Sequence, residues 1–299
     1  MLLINCNDVS RIQKKDLSGV GFEPTPPFGD QNARSHRAMG RNLNLESSAL
    51  DRLAILTSVR MRNIGPTLAK KITTNNKDPT QYITSSPTCS FYLSPITEAQ
   101  VFALFTSLNE NKTFLNIPNK LIKLASEPLS KPFTVIYNES VLTGKVPELF
   151  KISKVTPTFK SGAVTELGNY RPIAVISPFS KVLERLVYQQ LVSFLEKQCL
   201  LFNFQFGFRK GYSTEYAILE TLENLKSAID DGKITCAVFL DFLKAFDTIN
   251  HQILLDKLSK CGIRGLPHAW FSSYITNRKQ FVKVGNTESS LKTITCGVP

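Results

Sequence analysis

Histidine, tryptophan and methionine are scarce in this chain, and acids fall well short of bases. Three histidines and six cysteines (Cys6, Cys89, Cys199, Cys236, Cys261, Cys296), with no C-x-x-C pair, leave no zinc spacing to read. Scattered thiols of this kind suit an intracellular chain of free cysteines rather than a disulfide scaffold. Long apolar runs are missing too. The longest uncharged stretch, Pro79 to Thr97, is rich in Ser, Thr, Pro and Gln and cannot cross a bilayer. The start, MLLINCNDVSRIQKK, lacks the apolar centre of a signal peptide. RIQKK is too short to count as a nuclear signal, which leaves nucleus and cytoplasm both open. The shortage of acids carries most meaning: 24 Asp and Glu against 36 Lys and Arg give a net charge of +12. That balance favours a polyanionic partner, nucleic acid or an anionic membrane surface.

What is present is enough for a core: 42% hydrophobic and 20% charged residues over 299 positions. The texture changes along the chain. Residues 1–60 hold turn formers and charges without a period of 2 or 3.6 and read as a disordered or repeat-derived tail. One reading of the codons for Gly21-Phe22-Glu23-Pro24, GGTTCGAACC, resembles the internal promoter box of transfer-RNA genes, and the coding DNA decides between the two. ESSALDRLAILTSVRMR could form one helix. Residues 61–92 are polar and linker-like.

From residue 93 a folded α+β region is expected. SPITEAQVFALFTSL spaces Val101, Leu104, Phe105 and Leu108 for a helix opened by Ser94-Pro95. PNKLIKLASEPLSKPFTVIYNESVLTGKVP continues helical and stops at Gly144 and Pro147. KISKVTPTFK and YRPIAVIS, joined by SGAVTELGN, read as a β-hairpin with a long loop. From Lys151 to Lys181 it carries five Lys or Arg and one acid, Glu166, as expected of a hairpin that faces anions. SPFSKVLERLVYQQLVSFLEK and STEYAILETLENLKSAIDDG are amphipathic helices, the first opened by Ser177-Pro178 and the second stopped at Gly232. ITCAVFLD reads as a strand buried on both faces. Helices at about 250–260 and 266–277 and a last hairpin, QFVKVGNTESSLKTITCGVP, complete the pattern.

The strand ITCAVFLD ends on Asp241. A carboxylate delivered at the end of an apolar strand serves as a metal ligand or general base in many α/β proteins, and equally as a cap for the next turn. Asp247 suits the capping role, since a helix begins soon after it. A basic hairpin and a strand-end carboxylate together point to metal-dependent chemistry on phosphate oxygens. Spacing reaches no further.

From about Leu93 the chain resembles the reverse transcriptase of non-LTR retrotransposons, the jockey-like group in particular. The likeness rests on VTPTFKSG, NYRPIAVIS, SKVLERLV, FNFQFGFRKGYSTEYA, AVFLDFLKAFDTINH and GVP, in the family's order. It implies a right-hand polymerase fold, with fingers over about residues 93–232 and the first part of the palm over about 233–299. It implies RNA-directed DNA synthesis with two Mg²⁺ ions on an RNA template, a DNA primer and deoxynucleoside triphosphates. By position, Asp241 becomes the first metal-binding carboxylate of the palm, and Phe246 the aromatic gate against a ribose 2′-hydroxyl. Phe242 belongs to the backbone facing the triphosphate. Lys160 and Arg171 become the fingers clamp on its phosphates, and Arg209 and Lys210 line the template path. Phe202, Phe204, Phe206 and Phe208 are expected to pack beneath the fingers rather than stack on bases.

The pattern also breaks. The family's Tyr-x-Asp-Asp pair lies downstream of Gly-Val-Pro-Gln-Gly, and the sequence stops at Gly297-Val298-Pro299. Asp230 and Asp231 precede Asp241 and read as a turn rather than that pair. A metal on one aspartate would bind poorly, so these 299 residues are not expected to polymerise DNA as they stand, and the palm strands are expected to expose apolar edges that lower solubility. TFLNI, residues 113–117, lacks the Gly and Asp that relatives carry before Ile-Pro, which puts that loop in doubt. Two further readings stay open: an RNA-binding fragment without catalysis, and the functionless product of a decayed element.

Overall fold

A computed structural model describes residues 2–3, 87–115, 117–240, 245–285 and 287–298. The expectations for the tail, its helix and nearly all of the linker lie outside the described residues. The chain divides into two compact units, residues 1–44 with 202–243, and residues 45–201 with 244–299.

The larger unit opens with α1 (Glu98–Thr106), whose N-cap is Thr97 rather than Ser94-Pro95. Thr97 and Gln100 exchange side-chain and backbone hydrogen bonds in a capping box, which satisfies two orphan N–H groups and fixes the start three residues later than expected. Val101 and Phe105 are fully buried, as their spacing requires. A two-residue ladder, β2 (Thr113–Phe114) with β3 (Ile117–Pro118), leads into α2 (Asn119–Leu124) and α3 (Ser126–Thr143). Gly144 ends α3 in the left-handed region (φ 65°), where a Cβ would crowd Ala269 and Leu266 of a later helix.

The expected hairpin is present: β4 (Ile152–Phe159) and β5 (Tyr170–Ile176) pair from Ser153↔Ile176 to Phe159↔Tyr170. Helix α4 (Pro178–Lys197) follows, its Ser177 hydroxyl accepting from the Ser180 N–H, with Leu183, Leu186 and Val187 buried. After the smaller unit come α6 (His251–Lys260) and α7 (Gly265–Ile275), then β7 (Lys279–Val284), β8 (Thr287–Glu288) and β9 (Lys292–Thr293). The cap of α6 is Asn250, whose Oδ1 accepts from Ile253, and not Asp247, which stands three residues too early for the first turn.

Local sequence does not reveal how β7 is placed. It runs parallel to β4, from Ile152↔Lys279 to Val155↔Val282, and gives the sheet order β5-β4-β7-β8 with β9 also on β7. The helices bury a common core against one another, with Phe105, Phe133, Tyr137, Leu183, Ile263 and Trp270 among its members; each large apolar side chain so buried contributes about 1.5–3 kcal/mol.

Between α4 and α7 lies a polar group inside this core. Tyr274 donates to Glu184 Oε1 at 2.6 Å and stacks on Trp270, and the Arg278 guanidinium lies 4.8 Å from the Tyr274 ring centre. Arg278 is 1% exposed and donates from Nη1 to the Tyr274 carbonyl. Its Nε and Nη2 have no hydrogen-bond partner among the described residues. Burial pushes the Glu184 carboxyl above its ordinary value of 4.5 and outweighs the opposing pull of Tyr274, Arg278 and Lys181.

In the smaller unit, α5 (Thr214–Asp230) starts at Ser213, and Gly232 follows it at φ 65°. Asp231 caps its end and pairs with Lys233 at 2.7 Å, so Asp230-Asp231 is a helix-end turn as expected. The strand ITCAVFLD is not buried. Only β6 (Ala237–Val238) is extended. It pairs with β1 (Leu2–Leu3), and Ile234, Phe239 and Leu240 are 85%, 75% and 66% exposed. A strand is buried on both faces only where further strands and helices flank it, and a two-residue ladder provides neither. Among the described residues no helix is long and apolar enough to cross a membrane.

Two outcomes follow. Leu115 sits at φ 45°, in the short connection between β2 and β3. Leu115→Gly should raise stability in urea by about 1 kcal/mol, because a Cβ in the left-handed region costs about that much. A carboxyl whose folded pKa is raised contributes stability at low pH that is lost as pH rises past 4.5. The Tm of Glu184→Gln relative to wild type should therefore climb as pH goes from 4 to 7; a constant difference would show that Glu184 is not the titrating group.

Candidate functional site

The hairpin β4–β5 has two halves. Its base is fixed: Ser153–Val155 lie between β5 and β7, with Ser153 and Val155 buried. Beyond Val155 the strand pairs with β5 alone, and Thr156, Thr158 and Phe159 are exposed. The tip is nevertheless ordered. Lys160 N–H donates to the Asn169 carbonyl at 2.8 Å, Asn169 Nδ2 to Ala163, and the Tyr170 hydroxyl to Val164, while the Phe159 and Tyr170 rings meet at 5.4 Å. Arg171 pairs with Thr158, and Lys160 with Asn169. Since cross-strand partners and alternate residues share a face, Lys160 and Arg171 lie on one face as diagonal neighbours. Both are exposed. At the other end, burial and then nearby Lys112 hold the Lys181 ammonium below the usual lysine range.

A second element is the loop at residues 245–250. Phe246, 56% exposed, accepts at its carbonyl from the Val298 N–H at 3.0 Å, and Ile249 accepts from Gly297 at 2.8 Å. Asn250 and Cys296 form an antiparallel bridge. Gly297 has φ 84°, and a Cβ there would stand 2.9 Å from the Asp247 carbonyl oxygen. The terminal Gly-Val thus lies directly on the loop that carries Phe246. Burial, and then the Asp247 charge, push the Cys296 thiol upward.

In the smaller unit, Arg209 donates from Nη1 to the Phe202 carbonyl at 3.2 Å and lies 4.4 Å over the Tyr212 ring. It therefore organises its own loop, while Lys210 is exposed. The phenylalanine expectation is corrected: Phe202, Phe204 and Phe208 are 68%, 52% and 88% exposed, and Phe202 meets only Phe204 closely among the rings described. The loop is built of turns, which cannot direct four alternate rings into one core. Asp241 and Phe242 lie outside the described residues. Among the described residues no group of three or more His, Cys, Asp or Glu could hold a metal ion.

The hairpin with its cations and the backbone-clasped aromatic loop both belong to the larger unit. The family model for reverse transcriptase (RNA-dependent DNA polymerase) matches residues 154–299. The chain is similar to a probable RNA-directed DNA polymerase from transposon BS of Drosophila melanogaster (29% identical over 216 residues, 70% of this chain and 23% of the relative). It is also similar to the RNA-directed DNA polymerase from mobile element jockey of the same species (27% over 222 residues, 73% and 24%) and to a probable RNA-directed DNA polymerase from transposon X-element (31% over 170 residues, 56% and 18%). Residues 154–299 are a reverse transcriptase domain. It is of the non-LTR retrotransposon kind, as the sequence motifs indicate. The chain spans about a quarter or less of the length of these curated relatives.

Gly297→Ala should loosen the clasp, because backbone atoms of Asp247 cannot yield to a methyl group and φ 84° is strained for alanine. Limited proteolysis of the native protein should cut within residues 245–250 about tenfold faster in the variant; an unchanged rate would mean that the clasp does not hold the loop.

Proposed function

We propose that this chain carries the nucleotide-gripping and template-gripping part of an RNA-directed DNA polymerase. The observation that supports this best is the hairpin: base locked in a sheet, tip exposed, Lys160 and Arg171 on one face, and Glu166 the single acid between Lys151 and Lys181. Arginine offers a planar fork to phosphate oxygens and lysine a point charge, so the pair suits a triphosphate. In this reading the region is the fingers and first palm segment of a right-hand fold. Phe246 excludes the 2′-hydroxyl by bulk, Phe242 is assigned to nucleotide binding, and Arg209 and Lys210 follow the template. Asp241 would be one of the carboxylates that hold Mg²⁺, which when bound would supply positive charge at the primer hydroxyl and the triphosphate. The partners are an RNA template, a DNA primer and deoxynucleoside triphosphates.

The net charge of +12 supports a second reading, RNA binding without catalysis. Nucleotide binding and extension separate the two. Lys160→Ala with Arg171→Ala should weaken dCTP binding by about tenfold per lost charged contact, whereas a pure RNA binder has no nucleotide site to lose. Asp241→Ala should abolish any Mg²⁺-dependent primer extension on RNA while leaving RNA affinity within about twofold, since this reading assigns the carboxylate to the metal and not to the template. Extension that survives Asp241→Ala would refute the role given to Asp241.

A further inference from the structure

The clasp on residues 246–250 has one member that backbone pairing does not supply. His251 is the first residue of α6, and its Nε2 lies 2.7 Å from the carbonyl oxygen of Gly297. A carbonyl only accepts, so the ring nitrogen donates, as the Nε2–H tautomer or as the imidazolium. Gly297 is therefore held at both of its polar groups, its N–H by Ile249 and its carbonyl by His251. Its Cα faces the Asp247 backbone, and the next residue, Val298, bonds to the carbonyl of Phe246 itself. Asn250, the residue before His251, is tied to both sides of this arrangement: it bridges to Cys296 and caps α6 through Ile253. The imidazole thus links a helix start, already fixed by its cap, to Gly297, which meets the loop at Asp247 and Ile249.

We propose that His251 is a positioning residue. It latches Gly297-Val298 onto the loop that carries Phe246, and so sets where that ring meets the sugar of an incoming nucleotide. The latch is a property of the fold alone; the positioning role rests on the nucleotide-site reading above. A ring that rejects a 2′-hydroxyl by bulk works only if it is held to within about half an ångström. Loosening the backbone beneath it therefore admits the ribonucleotide without removing any contact to the deoxyribonucleotide.

The test uses the full chain and two substitutions. His251→Phe keeps a ring without a donor, and His251→Gln keeps a donor without the ring. Amide hydrogen exchange is followed at Gly297 and Val298, and binding of dCTP and CTP with Mg²⁺ is measured on the same samples. In His251→Phe, exchange at both amides should rise about tenfold, the effect of one lost hydrogen bond. Preference for dCTP over CTP should fall by at least about threefold in the same variant, and His251→Gln should preserve both properties. Unchanged exchange in His251→Phe would overturn the latch. Faster exchange with the sugar preference intact would overturn the positioning role. A wild-type chain that binds neither nucleotide would overturn the nucleotide reading and the positioning role with it, and the exchange data would then judge the latch by themselves.

Discussion

The short parallel pairing of β4 with β7 is the constraint on which the rest depends. Only Ile152–Val155 and Lys279–Val282 take part, yet they join segments separated by more than half of the folded region. Parallel neighbours cannot be linked by a tight turn, so everything between them acts as the crossover. That pairing makes β4 an interior strand at its base and a free ribbon at its tip. The hairpin's two properties, a rigid root and an exposed cationic end, follow from where the ladder with β7 stops.

The same region explains why β7 can serve as a fixed neighbour. It begins one residue after Arg278, whose side chain is buried against Tyr274, and Tyr274 in turn reaches Glu184 on α4. Desolvating a guanidinium and a carboxylate costs more than a surface pair would return. Ring stacking and the Tyr274 hydroxyl offset only part of that cost, and the gain is orientation: α4, α7 and the start of β7 are tied by directional contacts rather than by oily packing alone. Trp270 extends the tie to α3 through its Nε1–H to the Ser140 hydroxyl.

Much of this was legible in the sequence wherever the signal was local. Helix α4 with its Ser177 cap, the β4–β5 hairpin and the glycine stops at Gly144 and Gly232 follow from periodicity and from turn chemistry, both of which act over a few residues. One boundary slipped because a stronger cap lay nearby, Thr97 with Gln100 at α1; at α6 the expected bounds agree with the structure and only the cap differs, Asn250 in place of Asp247. The β4–β7 ladder was hidden because register between distant strands is decided by packing, not by either strand's composition. The exposure of residues 234–240 was missed for the same reason: an apolar, β-branched run shows that a strand could be buried, not that flanking strands are there to bury it. Of the candidate site, Lys160, Arg171 and Phe246 were reached through the family's motifs. His251 was not, since nothing in DTINH marks a histidine that meets a glycine 46 residues later.

The two halves of the candidate site are built by different means, and this bears on how each tolerates change. The hairpin tip presents charge through side chains, so its chemistry changes with any substitution at Lys160 or Arg171 while its shape stays fixed by the ladder. The loop at 246–250 is the reverse case. Its shape comes from main-chain bonds between Phe246, Ile249, Gly297 and Val298, which are indifferent to most side chains. Glycine at 297 is the exception, because any Cβ would strike the Asp247 backbone. A backbone clasp of this kind leaves the ring at position 246 free to differ in size without disturbing the loop that carries it. Side chain and architecture are then separable properties: residue 246 sets the size of the ring, and the clasp sets the place from which it projects.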